Sequence, residues 1–399
     1  MPSPGTESAH FPRTYYETLC KDKDLVTHVR SDLGLMNAAG ITGGVNGQVL
    51  DGYPGFGSYL EAIKGKLIAN IQKGLTPDEA REISTGELMA GLESQPEFAR
   101  LAVSSIAKYL AMLNFELGGR KVFSFSTSLV ERLAATALDA PAEYLRLPFV
   151  SCMFVMRAPE AVRALYSLGG EQVPGVAAPI TVFLSEGTYQ GMRKLLIQVF
   201  HANEHKTFYM VKREILINPK WTIEKALRTE WNKLLTSEDP EGAIDIAGMV
   251  NDGTDEAAFY TDGLLFFRII VNAILYLASS DPDLSLRASP VPDLVQRAKD
   301  TLNGYKRFAL ETKAKECSTL DGVMVGESLP PIVVSAGKGC GSSFGGGGPQ
   351  EVDRRFMVRG HWRNQAHGEG MQQRKLMWIQ PYWKGPEMAQ IVNKAYVVQ

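Results

Sequence analysis

A chain of 399 residues, 45% hydrophobic and 22% charged, has the composition of a globular protein, which excludes disorder as its dominant state. The length exceeds one ordinary core and points to two or three units of roughly 100 to 200 residues each. The formal net charge of -2 excludes a globally basic protein, yet from Glu351 onward eight Lys/Arg face four Asp/Glu, so positive charge gathers in the tail.

The first residues, Met1 to Phe11, have neither the positively charged start nor the apolar stretch of a signal peptide, so secretion is not expected. Cys20, Cys152, Cys317 and Cys340 are scattered, without the close pairs of a zinc site or a disulfide framework, and fit reduced thiols in a cytoplasm. Residues 40–57, rich in glycine and carrying Pro54, read as a loop into a helical region. Thr76-Pro77-Asp78-Glu79 and Ser94-Gln95-Pro96-Glu97 each place a capping hydroxyl three residues before a glutamate. The second runs into Ile106, Tyr109, Leu110, Leu113 and Leu117 at helical spacing. Residues 1–140 are therefore expected to form a mainly helical N-terminal region.

From about Leu147 the pattern turns to strands. Residues 149–156, 180–184, 194–200 and 207–217 are rich in β-branched and aromatic side chains, and a turn at Thr188-Tyr189-Gln190-Gly191 predicts an antiparallel meander. A helix from about Thr222 would bury Ile223, Leu227, Trp231 and Leu234. Residues 263–278 are almost continuously apolar but fall short of the ~20 residues a bilayer requires. They also carry Arg268, Asn272 and Tyr276 four apart, which reads as a core helix with one polar stripe and not as a membrane segment. Helices packed around an antiparallel sheet make residues 141–328 a central α+β domain. Pro330, Pro331 and the small residues of 337–348 mark a linker over 329–350, and residues 351–399 form a small β-rich module.

Two motifs invite chemistry and fail on context. His201-Ala202-Asn203-Glu204-His205 matches the H-x-x-E-H string of inverted zinc peptidases, whose histidines must share a helix face. Here the string lies between two β-rich runs and reads as a polar turn. Gly337-Lys338-Gly339-Cys340-Gly341-Ser342-Ser343 has the wrong order for a phosphate loop and no flanking strand or helix. Cys317 lies in a charged helical context without a histidine partner. No catalytic residue, metal site or cofactor is expected.

The tail from Asp353 to Pro386 is different. In an extended strand Phe356, Val358 and Trp362 share one face while Arg359, His361, Arg363 and Gln365 share the other. Gly368 and Gly370 turn the chain, residues 375–379 return as a second strand, and Pro381 ends regular pairing. Trp362, Trp378 and Trp383 lie here with Tyr382 and Lys384. Like charges on one strand face repel unless an anion sits opposite, so an anionic partner is the natural inference. The plainer alternative is that the indoles form the core of a small β unit.

The strings VRGHWRNQ and RKLMWIQPYWKGPE in this tail, and Tyr144-Leu145-Arg146-Leu147-Pro148-Phe149 upstream, resemble the AcrVA2-like family of type V-A anti-CRISPR proteins and their phage and plasmid relatives. The resemblance implies recognition of the N-terminal or nascent peptide of the type V CRISPR nuclease Cas12a, with loss of its messenger RNA. It implies target-specific binding coupled to transcript destruction and not attack on the guide complex itself, and it places the action in the cytoplasm of a bacterial host. RNA or the ribosome are further candidate partners. The residues it singles out are Arg359, His361, Trp362, Arg363, Lys375, Trp378, Tyr382 and Lys384. Two other classes stay open: an RNA-binding protein or ribonuclease with His361 as general acid or base, and a phage structural or assembly protein.

Overall fold

The structure, a computed structural model, describes residues 14–38, 108–156, 180–189, 192–202, 208–235, 256–330 and 356–384, with isolated positions between them. The proposed helix starts at Thr76 and Ser94, and the linker beyond Pro330, lie outside the described residues.

The fold is α+β. A seven-stranded sheet runs in the order β5-β4-β3-β2-β1-β7-β6, formed by β1 (Val122–Phe125), β2 (Ser151–Met156), β3 (Ile180–Tyr189), β4 (Met192–Ala202), β5 (Phe208–Ile217), β6 (Leu284–Arg287) and β7 (Gly322–Val325). The expected meander is present, since β2 to β5 pair antiparallel in sequence order. The sheet as a whole is mixed, because β1 pairs in parallel with both β2 and β7. Strand β1 precedes residue 140 yet lies inside the sheet, so the sheet draws on both sides of the boundary expected there. Phe149 and Val150 fall before β2 and stay exposed.

Every residue of β1 and β2 is buried, because both sheet faces are covered. Side chains alternate between two cores. Phe123, Phe125, Cys152, Phe154 and Met156 join one, while Val122, Met153 and Val155 join the other. The second core is closed by α1 (Tyr15–Leu19), α2 (Lys23–Ala38) and α3 (108–117), where Tyr109, Leu110 and Leu113 are buried as their spacing requires. Helix α1 starts with a capping box, Thr14 and Glu17. The buried Glu17 carboxylate also accepts from Ser318 Oγ and from Thr319 N at 3.1 Å, which ties the start of the chain to the lead-in of β7.

The first core is covered by α4 (Thr127–Ala134), α5 (Ile223–Leu235) and α6 (Glu256–Leu277). In α6, Phe266, Ile269, Ile270, Val271, Ala273, Ile274 and Leu275 are all buried, so the apolar run is a core helix. Among the described residues no helix is long and apolar enough to cross a membrane. Beyond β6 a helical pair, α7 (Val291–Asp300) and α8 (Gly304–Glu316), precedes β7. Helix α7 buries Leu294 and Ala298; α8 buries no residue.

Candidate docking face of the C-terminal hairpin

The tail folds as two short ladders. Strands β9 (His361–His367) and β10 (Gln373–Ile379) form an antiparallel hairpin, and β8 (Phe356–Val358) pairs with β11 (Tyr382–Lys384), a pairing beyond Pro381 that the sequence did not suggest. Gly368 and Gly370 turn the hairpin with φ of 78° and 63°, values that glycine adopts without a Cβ penalty.

Register fixes the two faces. Trp362 sits opposite Trp378 and Asn364 opposite Leu376 on one face; Arg363 sits opposite Met377 and Gln365 opposite Lys375 on the other. The first face points inward at Trp362, Leu376 and Trp378, while Asn364 stays exposed. Trp362 and Leu376 belong to the first core, with Trp378 packed against them, so the hairpin shares the main core and does not stand apart as an independent module. The indoles stack at 6.3 Å, and Tyr276 meets Trp378 edge-on at 5.2 Å.

The socket that receives them is polar and specific. Asn272 Nδ2 donates to Leu133 O at 2.9 Å and Thr136 O at 3.0 Å, while its Oδ1 accepts from Trp362 Nε1 at 2.8 Å. Trp378 Nε1 donates to Thr136 Oγ1 at 3.2 Å. Gly360 N donates to Ala135 O, and Ala137 N to Gly360 O, so the backbone itself is stitched to the end of α4. A Cβ on Gly360 would lie 2.6 Å from Thr136 Oγ1 and 2.8 Å from Pro381 Cδ, which explains a glycine there. Burying one indole is worth roughly 4 to 6 kcal/mol, against about 1 kcal/mol for either indole hydrogen bond. Apolar burial therefore holds the hairpin, and the hydrogen bonds set its position. The stripe of Asn272 and Tyr276 on α6 is the seat of the tail.

The opposite face carries His361, Arg363 and Lys375. Arg363 is exposed, and His361 and Lys375 are half-buried. Across the ladder they meet Ile379, Met377 and Gln365, none of which is acidic. Among the described residues no side-chain hydrogen bond or ion pair engages these three cationic or titratable groups. Tyr382, half-exposed, and Lys384, exposed, lie on the second ladder. The alternation read from the sequence holds within β9, where Trp362 lies on one face and His361, Arg363 and Gln365 on the other, while Phe356 and Val358 belong to the separate β8–β11 ladder. Trp362, only 6% exposed and bonded to Asn272, supports the face and does not present to a partner. Trp378 lines the same seat.

A second cationic group adjoins it. Arg359 leads into β9, and Arg268 on α6 lies close enough for the two guanidiniums to repel. Burial first, then Arg359 and Arg228, hold the Arg268 guanidinium below its ordinary pKa, while Glu224 works against them. Arg228 holds Glu224 at 3.1 and 3.2 Å, and Arg268 Nε is buried without a hydrogen-bond partner among the described residues. Arg228 and Arg268 were not singled out from the sequence as site residues. The signal for Arg268 was the polar stripe of α6; for Arg228 there was none.

Elsewhere, His201 and Ala202 end β4 paired with Tyr209 and Phe208, and residues 203–207 lie outside the described residues. Among the described residues no three His, Cys, Asp or Glu are grouped to hold a metal. Burial pushes the thiols of Cys152 and Cys317 up, away from the thiolate that nucleophilic chemistry requires.

A family model described as AcrVA2-like, anti-CRISPR type V subtype A2 family, matches residues 123–386, about two thirds of the chain. Among solved structures, the chain is similar to one titled "Crystal structure of AcrVA2", with a TM-score of 0.34 and 12% identity, covering 89% of this chain and 98% of that one. No curated protein matches.

Proposed function

The chain belongs to the AcrVA2-like family of type V subtype A2 anti-CRISPR proteins, and from that premise we propose that its hairpin face docks a segment of a CRISPR nuclease. The family carries an anti-CRISPR-type function. In the proposed mechanism the partner is the N-terminal or nascent peptide of the type V nuclease Cas12a, and engagement suppresses its production through loss of its messenger RNA in the bacterial cytoplasm. Arg363, Lys375 and His361 form the centre of the face, with Arg359, Tyr382 and Lys384 at its margins.

One observation carries this reading: a strand face with Arg363, Lys375 and His361 on the side opposite indoles that are locked into the core. Cations held on a rigid ladder attract carboxylates with little ordering cost. The arrangement supports recognition of an acidic stretch, and it supports a binding role over an enzymatic one.

The test is titration of synthetic N-terminal nuclease peptides against the full chain and against Arg363→Ala/Lys375→Ala. Both residues lie on the outward face, so folding should change by no more than about 0.5 kcal/mol. Peptide affinity is expected to fall about tenfold or more, with nuclease transcript levels restored in cells expressing the variant. Unchanged affinity would reject the face as the site.

A further inference from the structure

Helix α8 is unusual for a helix of 13 residues in a folded chain, because it buries none of them. It nevertheless carries Tyr305 and Phe308, 84% and 67% exposed, just after Leu302, which is 97% exposed. Tyr305, Phe308, Ala309 and Thr312 follow the i, i+3, i+4, i+7 spacing that places them on one side of the helix. The side turned toward α7 holds the half-buried Leu310 and Ala314. The aromatic stripe is therefore surplus to the packing of the pair, and an exposed apolar stripe of this kind marks an interaction site.

Its surroundings are cationic. A groove of about 610 Å³ is lined by Arg297, Asp300, Thr301, Tyr305, Lys306 and Lys313, among others. Asp293 and Arg297 cancel each other in an ion pair at 3.3 Å, and Asp300, held by the neutral Gln296 amide at 2.9 and 3.1 Å, keeps its charge, so the positive balance of the groove rests on Lys306 and Lys313 with Lys299 nearby. Lys299, Lys306 and Lys313 have no side-chain hydrogen bond or ion pair among the described residues. Lys306 and Lys313, seven apart, lie on one line along the helix beside the aromatic stripe.

We propose that the α7–α8 pair is a docking surface for single-stranded nucleic acid, with bases stacked on Tyr305 and Phe308 and phosphates on Lys306 and Lys313. The choice of partner follows from the shape of the site as well as its charge. Neither ring has an aromatic neighbour among the described residues, and both project. Phe308 stands outside the groove and Tyr305 forms one wall of it, so each ring offers a face, whereas protein partners draw their affinity from side chains held in desolvated pockets. Bases need only a face to stack on and a line of cations beside it. This surface is separate from the hairpin face, and the inference stands or falls independently of the peptide-binding reading.

The experiment is fluorescence anisotropy of the full chain with labelled oligo(rU) and oligo(dT) of about 12 nucleotides, across a salt series. Tyr305→Ala/Phe308→Ala should weaken binding about tenfold or more. Lys306→Gln/Lys313→Gln should flatten the log affinity against log salt slope by roughly 1.4, from two phosphate contacts. Loss on both oligomers assigns any single strand, and loss on oligo(rU) alone assigns RNA through its 2′-hydroxyl. The substituted side chains are exposed, and circular dichroism checks that the fold is kept. The proposal is overturned if the wild-type chain binds neither oligomer at low salt, or if both double variants bind like wild type while Arg363→Ala/Lys375→Ala does not. It is equally overturned if the rings prove necessary only for anionic phosphatidylglycerol vesicles or for an acidic peptide.

Discussion

Replacing Asn272 by leucine tests how the tail is seated. The residue is fully buried and makes three hydrogen bonds, two as donor to the end of α4 and one as acceptor from Trp362. Leucine keeps the branching and heavy-atom count of the asparagine side chain, so the change removes polarity, and its bulkier methyl groups add overpacking to the polar penalty. Leu133 O keeps Thr136 N at 3.1 Å as a partner, so the main penalty falls on Thr136 O and Trp362 Nε1. Two buried groups stranded at about 1 to 3 kcal/mol each give a cost of about 4 kcal/mol. Trp362→Phe strands only Asn272 Oδ1 and loses some ring volume, so about 2 kcal/mol is expected. In the double variant the mutual penalty disappears, and its cost should be about 1 to 2 kcal/mol below the sum of the singles. Urea denaturation followed by far-ultraviolet circular dichroism measures all three. Additivity within about 0.5 kcal/mol would show that Asn272 and Trp362 are not coupled and would refute this account of the seat.

Gly360→Ala should loosen the hairpin by about 2 kcal/mol or more, since its Cβ would press on Thr136 Oγ1, Pro381 and the Ile379 carbonyl; faster proteolytic cleavage within 361–379 is the readout. Glu17→Ala strands donors at Thr14, Ser318 and Thr319, and should cost about 3 kcal/mol, with faster amide exchange in α1 and near Thr319. Burial holds the Tyr15 hydroxyl up to about 12 from 10.0, and burial with the neighbouring Glu116 carboxylate raises that of Tyr16 as well. Folding thus favours the neutral phenols, so their contribution is complete below about pH 10 and is lost as pH rises toward 12. Alkaline titration by tyrosinate absorbance should show delayed ionisation ending in cooperative unfolding, and Tyr15→Phe should push that unfolding to higher pH.

The outer half of the sheet was legible because its strands are long and its turns short: β3, β4 and β5 stand where β-branched and aromatic runs placed them. The inner half was not. Strands β1 and β7 have four residues each, and their pairing partners lie far along the chain, so no local pattern could announce parallel contact. Alternation in the tail sorted Trp362 from Arg363 correctly, because a strand's period of two survives in any context. It could not say what the inward face would meet. That information lay on α6, where Asn272 and Tyr276 interrupt the apolar run and meet two indoles. The Thr14-Tyr15-Tyr16-Glu17 box at the start of α1 has the same hydroxyl-to-glutamate spacing as the helix starts expected at Thr76 and Ser94, with two buried aromatic residues inside it.

Strand β1 receives β7 through the pairing of Phe123 with Val323, two hundred residues later in the chain. At a synthesis rate of roughly 5 to 20 residues per second, an emerging polypeptide waits about 10 to 40 s with that side of β1 unclosed. The hairpin is made later still, after both the seat on α6 and the closing strand have left the ribosome. Maturation of this molecule is thus ordered by topology, and the proposed docking face is made only after the sheet and the seat that support it.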